Sequence, residues 1–277
     1  MNYETLEVHT SHRVAVVWLA RETVRNAFNE TSIAELTQAF TALGADDGVR
    51  AIVLAARGPA FCAGADLGWM KRMAGFSHGE NCADAMKLAT MLKTIYECPK
   101  PVIARVHGDA YAGGIGLVAV CDIAVAAIGA SFCLSETRLG LIPATIGPYV
   151  MRAIGARAAR RYFLSAEKFD ASEAFRLGLV HELAPAEEID AKVNELLGAL
   201  MLTSPHAVAE AKRLVGELSG RPIDDSLIAD TAERIAAIRT SADGREGVRA
   251  FLDKRKSRWV AEYEAMMAEQ QGDDEEM

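Results

Sequence analysis

The chain has 277 residues, with 30 Lys and Arg against 38 Asp and Glu, and 51% of it is hydrophobic. At about 150 residues per domain this length fits one or two domains, and so apolar a composition excludes disorder as the main state. The formal charge of −8 gathers at one end: Glu262 to Met277 carries seven acids and no base, and elsewhere 31 acids face 30 bases. The acidity therefore belongs to a solvated tail, and no basic excess marks a nucleic-acid partner.

Five cysteines (Cys62, Cys82, Cys98, Cys121 and Cys133) contain no Cys-x-x-Cys pair. Neither a zinc site nor a disulfide framework is expected, and a reducing compartment fits best. The opening residues lack an apolar signal core, and charges or glycines break every apolar run short of membrane-spanning length. These features lead us to expect a soluble, cytoplasmic protein with no membrane contact.

In chain order, the β-branched run Arg13 to Ala20 reads as a buried strand. Asn29 and Ser32 both offer helix starts, Ser32 with Glu35 as a capping box, and Ile33, Leu36, Phe40 and Leu43 then share one helical face. Val49 to Ala56 is the next strand, and a long helix over about Glu80 to Tyr96 stops before Pro99 and Pro101. Strands follow at Pro101 to Val106, Asp122 to Ala126 and Ser131 to Leu134, with an apolar helix from Gly114 to Val120 among them. Beyond Ala144 strand signals fade to one brief extended piece in Leu177 to Leu183, and helices start at Pro205 and at Asp224/Ser226. Such alternation predicts an α/β layer structure with a helical C-terminal part. The divisions expected are a core over 1–200, a helical segment over 201–260 and an acidic tail over 261–277.

Three segments could carry chemistry. Phe61-Cys-Ala-Gly-Ala-Asp-Leu67 places small residues between a strand and a helix, where a ligand can approach free N–H groups. The plain alternative is a turn ending with Asp66 as an N-cap. His107-Gly-Asp-Ala-Tyr-Ala-Gly-Gly-Ile-Gly116 opens a helix whose N-terminus suits a developing negative charge. It matches neither a dinucleotide fingerprint nor a P-loop, and His107, with no triad partner at a useful spacing, reads as structural. In Leu134-Ser-Glu-Thr-Arg-Leu-Gly-Leu-Ile-Pro143, Glu136 sits between an apolar strand and an apolar loop, where desolvation would raise its pKa toward the range useful for proton transfer. An ion pair with Arg138 or Arg152 is the bland alternative.

Taken in this order, the three segments resemble the enoyl-CoA hydratase/isomerase (crotonase) superfamily from Val14 to about Leu183, with a weaker likeness to Trp259. The runs Cys133 to Ile146 and Ala158 to Tyr162 look most like bacterial hydratases of branched glutaconyl-CoA thioesters. The resemblance implies a crotonase-like (ββα) superhelix, a helical C-terminal trimerisation segment, and a homotrimer or a hexamer built as a dimer of trimers. It implies an acyl-CoA substrate whose enolate is held by the backbone N–H groups of Ala63 and Gly113, with no cofactor or metal beyond the CoA of the substrate itself. CoA would run past Arg25, Ala27, Ala65, Asp66 and Leu67. Phe251 and Lys254 match a segment that often reaches CoA phosphates from a neighbouring subunit.

Of the two glutamates that typical hydratases use, one matches Glu136 and the other falls on Gly116, which cannot carry a proton. A one-glutamate hydratase, a hydratase with a relocated second group, a one-base double-bond isomerase and a non-catalytic CoA-ester-binding trimer all remain open at this point. Pro143-Ala-Thr-Ile-Gly-Pro-Tyr149 replaces a glycine-rich run of many hydratases, so Pro148 and Tyr149 are expected to stiffen the acyl wall, with Met70, Met73 and Phe76 nearby.

Overall fold

The computed structural model describes residues 2–275. Leu6–Ser11 (β1) and Val14–Leu19 (β2) form an antiparallel hairpin, turned by His12 and Arg13 at φ 49° and 63°. Two successive left-handed residues match the twist of the flanking strands. The sequence reading starts at Arg13 and misses β1, because most of this edge strand faces solvent and has no apolar run.

Glu30–Ala45 (α1) is capped by Asn29, whose side chain accepts the Ser32 N–H at 3.0 Å. The capping box expected at Ser32 and Glu35 does not form. Glu35 instead accepts the N–H groups of Glu4 at 2.7 Å and Thr5 at 2.8 Å, tying the start of the chain to α1. A true capping box joins Ser77 and Glu80 at the next long helix.

The main sheet continues with Ala51–Ala56 (β3), every residue of which is buried. Leu67–Met73 (α2) and His78–Tyr96 (α3) lead to Val102–Val106 (β4). Ala110–Tyr111 (β5) and Gly113–Ala119 (α4) precede Ile123–Ala127 (β6), followed by Ser131–Cys133 (β7), Gly147–Ser165 (α5) and Lys168–Asp170 (β8). Ala171–Leu177 (α6), Glu182–Ala184 (β9) and Ile189–Met201 (α7) complete this part.

Six strands order as β1-β2-β3-β4-β6-β9, parallel from β2 onward, and β5-β7-β8 make a second, smaller sheet. Parallel neighbours require crossovers, and α1 and then α2 with α3 supply the first two. Leu36, Phe40, Ile52, Leu54, Leu92 and Ile115 are fully buried in the shared core. The short β5 and β8 carry too few residues to show a period of two, so only pairing across the chain reveals them.

The remaining helices are Pro205–Leu218 (α8), Asp225–Thr240 (α9), Ala242–Leu252 (α10) and Arg258–Glu275 (α11). Ser204 and Asp224 cap α8 and α9 through their side chains. The chain divides into two compact units, Met1–Asn194 and Glu195–Met277, at a boundary that falls inside α7. The expected break at 260/261 is corrected: α11 runs through it, because its Ala, Glu, Met and Gln residues are strong helix formers. Among the described residues no helix is long and apolar enough to cross a membrane.

Candidate active site

Backbone hydrogen bonds assemble the three segments. Phe28 accepts from Asp66 at 3.0 Å and donates to Gly64 at 2.9 Å, so it runs parallel to Ala65. Cys62 bridges to Ala110 and accepts the Tyr111 N–H at 2.9 Å. Ala112 donates to Cys133 at 2.8 Å, while β5 and β7 pair Tyr111 with Cys133. The chain then reaches Glu136, in a 3-10 turn over Glu136–Leu139 that closes with Gly140 in the left-handed conformation. Segments some 50 and 70 residues apart in sequence thus meet edge to edge in the first unit.

The N–H groups decide which residues can face a ligand. Ala63 N–H donates to the Arg25 carbonyl at 3.0 Å. That bond removes Ala63 as an enolate donor and corrects the expectation. Two residues on, no acceptor among the described residues meets the Ala65 N–H, and the Gly113 N–H at the start of α4 is likewise without one. Ala63 and Ala65 both lie beside Gly64 among small residues, and nothing local separates them; the parallel run with Phe28 does.

Gly113 must be glycine, since a Cβ there would lie 2.3 Å from the Phe28 ring. Phe28 packs in turn on Trp69, with ring centroids 6.0 Å apart. The residue before Gly113 is strained: Ala112 sits at φ 48° and ψ −118°. Such a conformation costs about 1–3 kcal/mol and is held by its surroundings, here by the Cys133 bond and by Ile115 donating to the Ala112 carbonyl. No feature of the sequence announced this twist.

Glu136 is partly buried, and its Oε2 atom is fully buried with no hydrogen-bond partner. Burial pushes its carboxyl above the ordinary value of 4.5, opposed only in part by its own N–H. The ion pair with Arg138 does not form, because that guanidinium donates to the Ala166 carbonyl at 2.5 Å, and no ion pair joins Glu136 to Arg152 among the described residues. Gly116 is buried in α4, with Ile146 packed over the side where a Cβ would project. His107 bonds the Gly58 carbonyl at 2.7 Å, and burial holds its pKa below the ordinary imidazole value.

The residues expected along CoA differ in what they present. Arg25 is exposed and left-handed at φ 52°. Ala27 is buried, its N–H bonded to Val24 and its carbonyl to Arg21, so it frames the wall rather than offering a polar group. Asp66 caps α2 by accepting the Trp69 N–H at 3.0 Å and pairs with Arg21 at 3.1 Å. Although burial opposes ionisation, these bonds hold its carboxyl below the usual range. Its side chain is therefore committed to structure, which is the plain alternative read from the sequence. Leu67 is 74% exposed. Phe251 and Lys254 belong to the second unit, where Phe251 is 83% exposed and Lys254 is left-handed at φ 52°. Tyr149 packs on Tyr96, with ring centroids 5.2 Å apart and the planes tilted by 56°. Among the described residues no group of three or more His, Cys, Asp or Glu is placed to hold a metal ion.

Strand–helix turns coiled into a main and a small sheet, with small-residue loops meeting at a buried carboxylate, define the crotonase fold. Solved structures share it over most of their length. An enoyl-CoA hydratase from Shewanella pealeana superposes with a TM-score of 0.91 at 41% identity, covering 93% of this chain and 97% of that one. An enoyl-CoA hydratase from Mycobacterium smegmatis gives 0.87 at 35% identity, covering 92% and 99%. The crotonyl-CoA hydratase of Syntrophomonas wolfei is 30% identical over 263 residues, which is 94% of this chain and all of that protein. The enoyl-CoA hydratase/isomerase family model matches residues 9–262, and the chain is an enzyme belonging to that family.

Proposed function

We propose that the protein is a hydratase that adds water across, or removes it from, the 2,3 double bond of an enoyl-CoA thioester. The observation that carries this reading is the conjunction of two unpartnered N–H groups, at Ala65 and Gly113, with the buried and unpartnered Oε2 atom of Glu136. In the hydration direction the thioester oxygen lies against the two N–H groups. They stabilise the charge that gathers there as the enolate forms, and fixed donors in a water-poor site make this term large. Glu136, ionised, takes a proton from water as the water oxygen bonds to C3. The proton it then holds passes to C2, which closes the enolate to the hydroxyacyl thioester and returns Glu136 to its starting state. One carboxyl carries both proton steps, and the reaction needs no cofactor beyond the CoA of its substrate.

CoA would pass Arg25 and Ala27 and follow the main chain from Ala65 to Leu67, with Phe251 and Lys254 contributing where subunits assemble. A homotrimer, or a hexamer of two trimers, is the assembly this reading expects; sedimentation of a stable monomer at micromolar concentration would count against it. A branched glutaconyl acyl group is the finer substrate proposal, resting on the likeness of Cys133 to Ile146 and Ala158 to Tyr162. Comparing kcat/KM for branched glutaconyl-CoA and crotonyl-CoA tests it, and preference for the unbranched ester overturns it.

The reaction class is decided by incubating an enoyl-CoA in ¹⁸O-labelled water. Label at C3 of the product supports hydration. An unlabelled product with a shifted double bond supports the isomerase, which a single carboxylate can also serve by carrying a proton along the enolate.

A further inference from the structure

The vacancy at Gly116 is filled rather than open. A Cβ built there would lie 2.2 Å from Ile146 Cγ2 and 2.9 Å from Ile146 Cβ, with Leu92 Cδ2 at 3.7 Å. Real Cβ atoms do not approach carbon so closely. Ile146 is 1% exposed and Leu92 fully buried, so neither has open space into which to retreat. Ile146 is also fixed in place as the residue preceding α5, its carbonyl accepting from Tyr149 at 3.1 Å and Val150 at 3.0 Å. The three atoms nearest that Cβ are all apolar carbon.

From this geometry, and resting on the hydratase reading above, we infer that Ile146 is the residue that restricts the centre to a single carboxylate. It occupies the volume into which any side chain at 116 must project. Positions 116 and 146 are thus one steric unit: glycine at 116 requires a branched filler at 146 for packing, and a proton-carrying residue at 116 requires its removal. In this arrangement Ile146 is a positioning residue. It acts through the volume it fills beside position 116, which leaves Glu136 to serve as both acceptor and donor of the proton.

A melting-temperature cycle tests the packing. In a helix interior alanine is worth about 1 kcal/mol over glycine, so in open space Gly116→Ala would raise the melting temperature. Against Ile146 it should instead lower it by roughly 2–10 °C, the usual consequence of overpacking in a chain of this size. Ile146→Gly alone should also lower it, by leaving a cavity. In the Ile146→Gly background Gly116→Ala should be neutral or stabilising, so the sign of the 116 substitution reverses. Equal effects of Gly116→Ala in both backgrounds would overturn the inference.

A second arm reads the chemistry in the folded double variant Gly116→Glu with Ile146→Gly. Its pH profile of kcat/KM should gain an ionisation that is absent from the parent and from Ile146→Gly alone. An unchanged profile would overturn the claim that Ile146 limits the proton machinery. Failure of the hydratase reading shows up separately, as no label from ¹⁸O-water with any enoyl-CoA, while the melting cycle still reports on the steric pair.

Discussion

Replacing Glu136 with Gln changes a single proton-carrying group and little else. The Oε2 atom has no protein partner to leave stranded, and the amide is nearly the same size, so the N–H groups of Ala65 and Gly113 keep their places. The loss therefore falls on proton transfer. A positioned acid or base is worth about 10²–10⁴ in rate, which corresponds to about 3–5 kcal/mol of barrier. We expect kcat for hydration to fall by about that factor, with KM for the CoA ester within about threefold of the parent.

The same carboxyl makes a second prediction. Burial raises its folded pKa above the ordinary 4.5. A raised pKa means that stability is fully present below the unfolded value and is lost as pH rises through the folded one. The parent should therefore lose stability relative to Glu136→Gln toward pH 8, and the two melting curves should converge near pH 4. Its kcat/KM should show an acid limb displaced upward from 4.5, since only the ionised form accepts a proton from water. Turnover in Glu136→Gln within threefold of the parent, measured by loss of the enoyl-thioester absorbance, would refute the assignment and turn attention to Tyr111, Asp66 and His107.

Other perturbations separate structure from chemistry. Ala65→Pro deletes an N–H with no protein acceptor and should lower kcat by about 10²–10³. Ala63→Pro breaks the Arg25 bond instead, and should lower the melting temperature; the reverse pattern would restore Ala63 as the donor. Ala112→Gly relieves the strain at φ 48° and should raise stability by about 1 kcal/mol, whereas Ala112→Val should impair folding or turnover; denaturant midpoints measure both. Glu173 is held at about 2 by Arg176 first and Tyr162 second. A depressed pKa contributes stability above the unfolded value and loses it as pH falls toward 2. Glu173→Gln should therefore cost about 1 kcal/mol at neutral pH, at the upper end for an ion pair open to solvent, and progressively less as pH falls toward 2, read from melting temperatures across that range.

Local signals in the sequence determined a good deal. The runs that became β3, β4 and β6 were legible because strands buried on both faces must be apolar throughout, and β2, buried on alternate residues only, was legible from its β-branched content. The helices at α3, α8 and α9 were legible because caps and prolines mark their ends. The three chemical segments could be found from their small residues and from a glutamate set between an apolar strand and an apolar loop. Tertiary structure alone decided how those segments meet, because the bonds from Phe28 to the 64–66 run and from Ala112 to Cys133 join residues far apart in sequence. It decided that Ala65 rather than Ala63 presents a free N–H, since a donor is known only by whether an acceptor lies opposite it. It also decided what glycine at 116 means. A missing side chain reads as an empty place in a sequence, whereas in a close-packed interior the volume belongs to whichever neighbour fills it, and here that neighbour is Ile146.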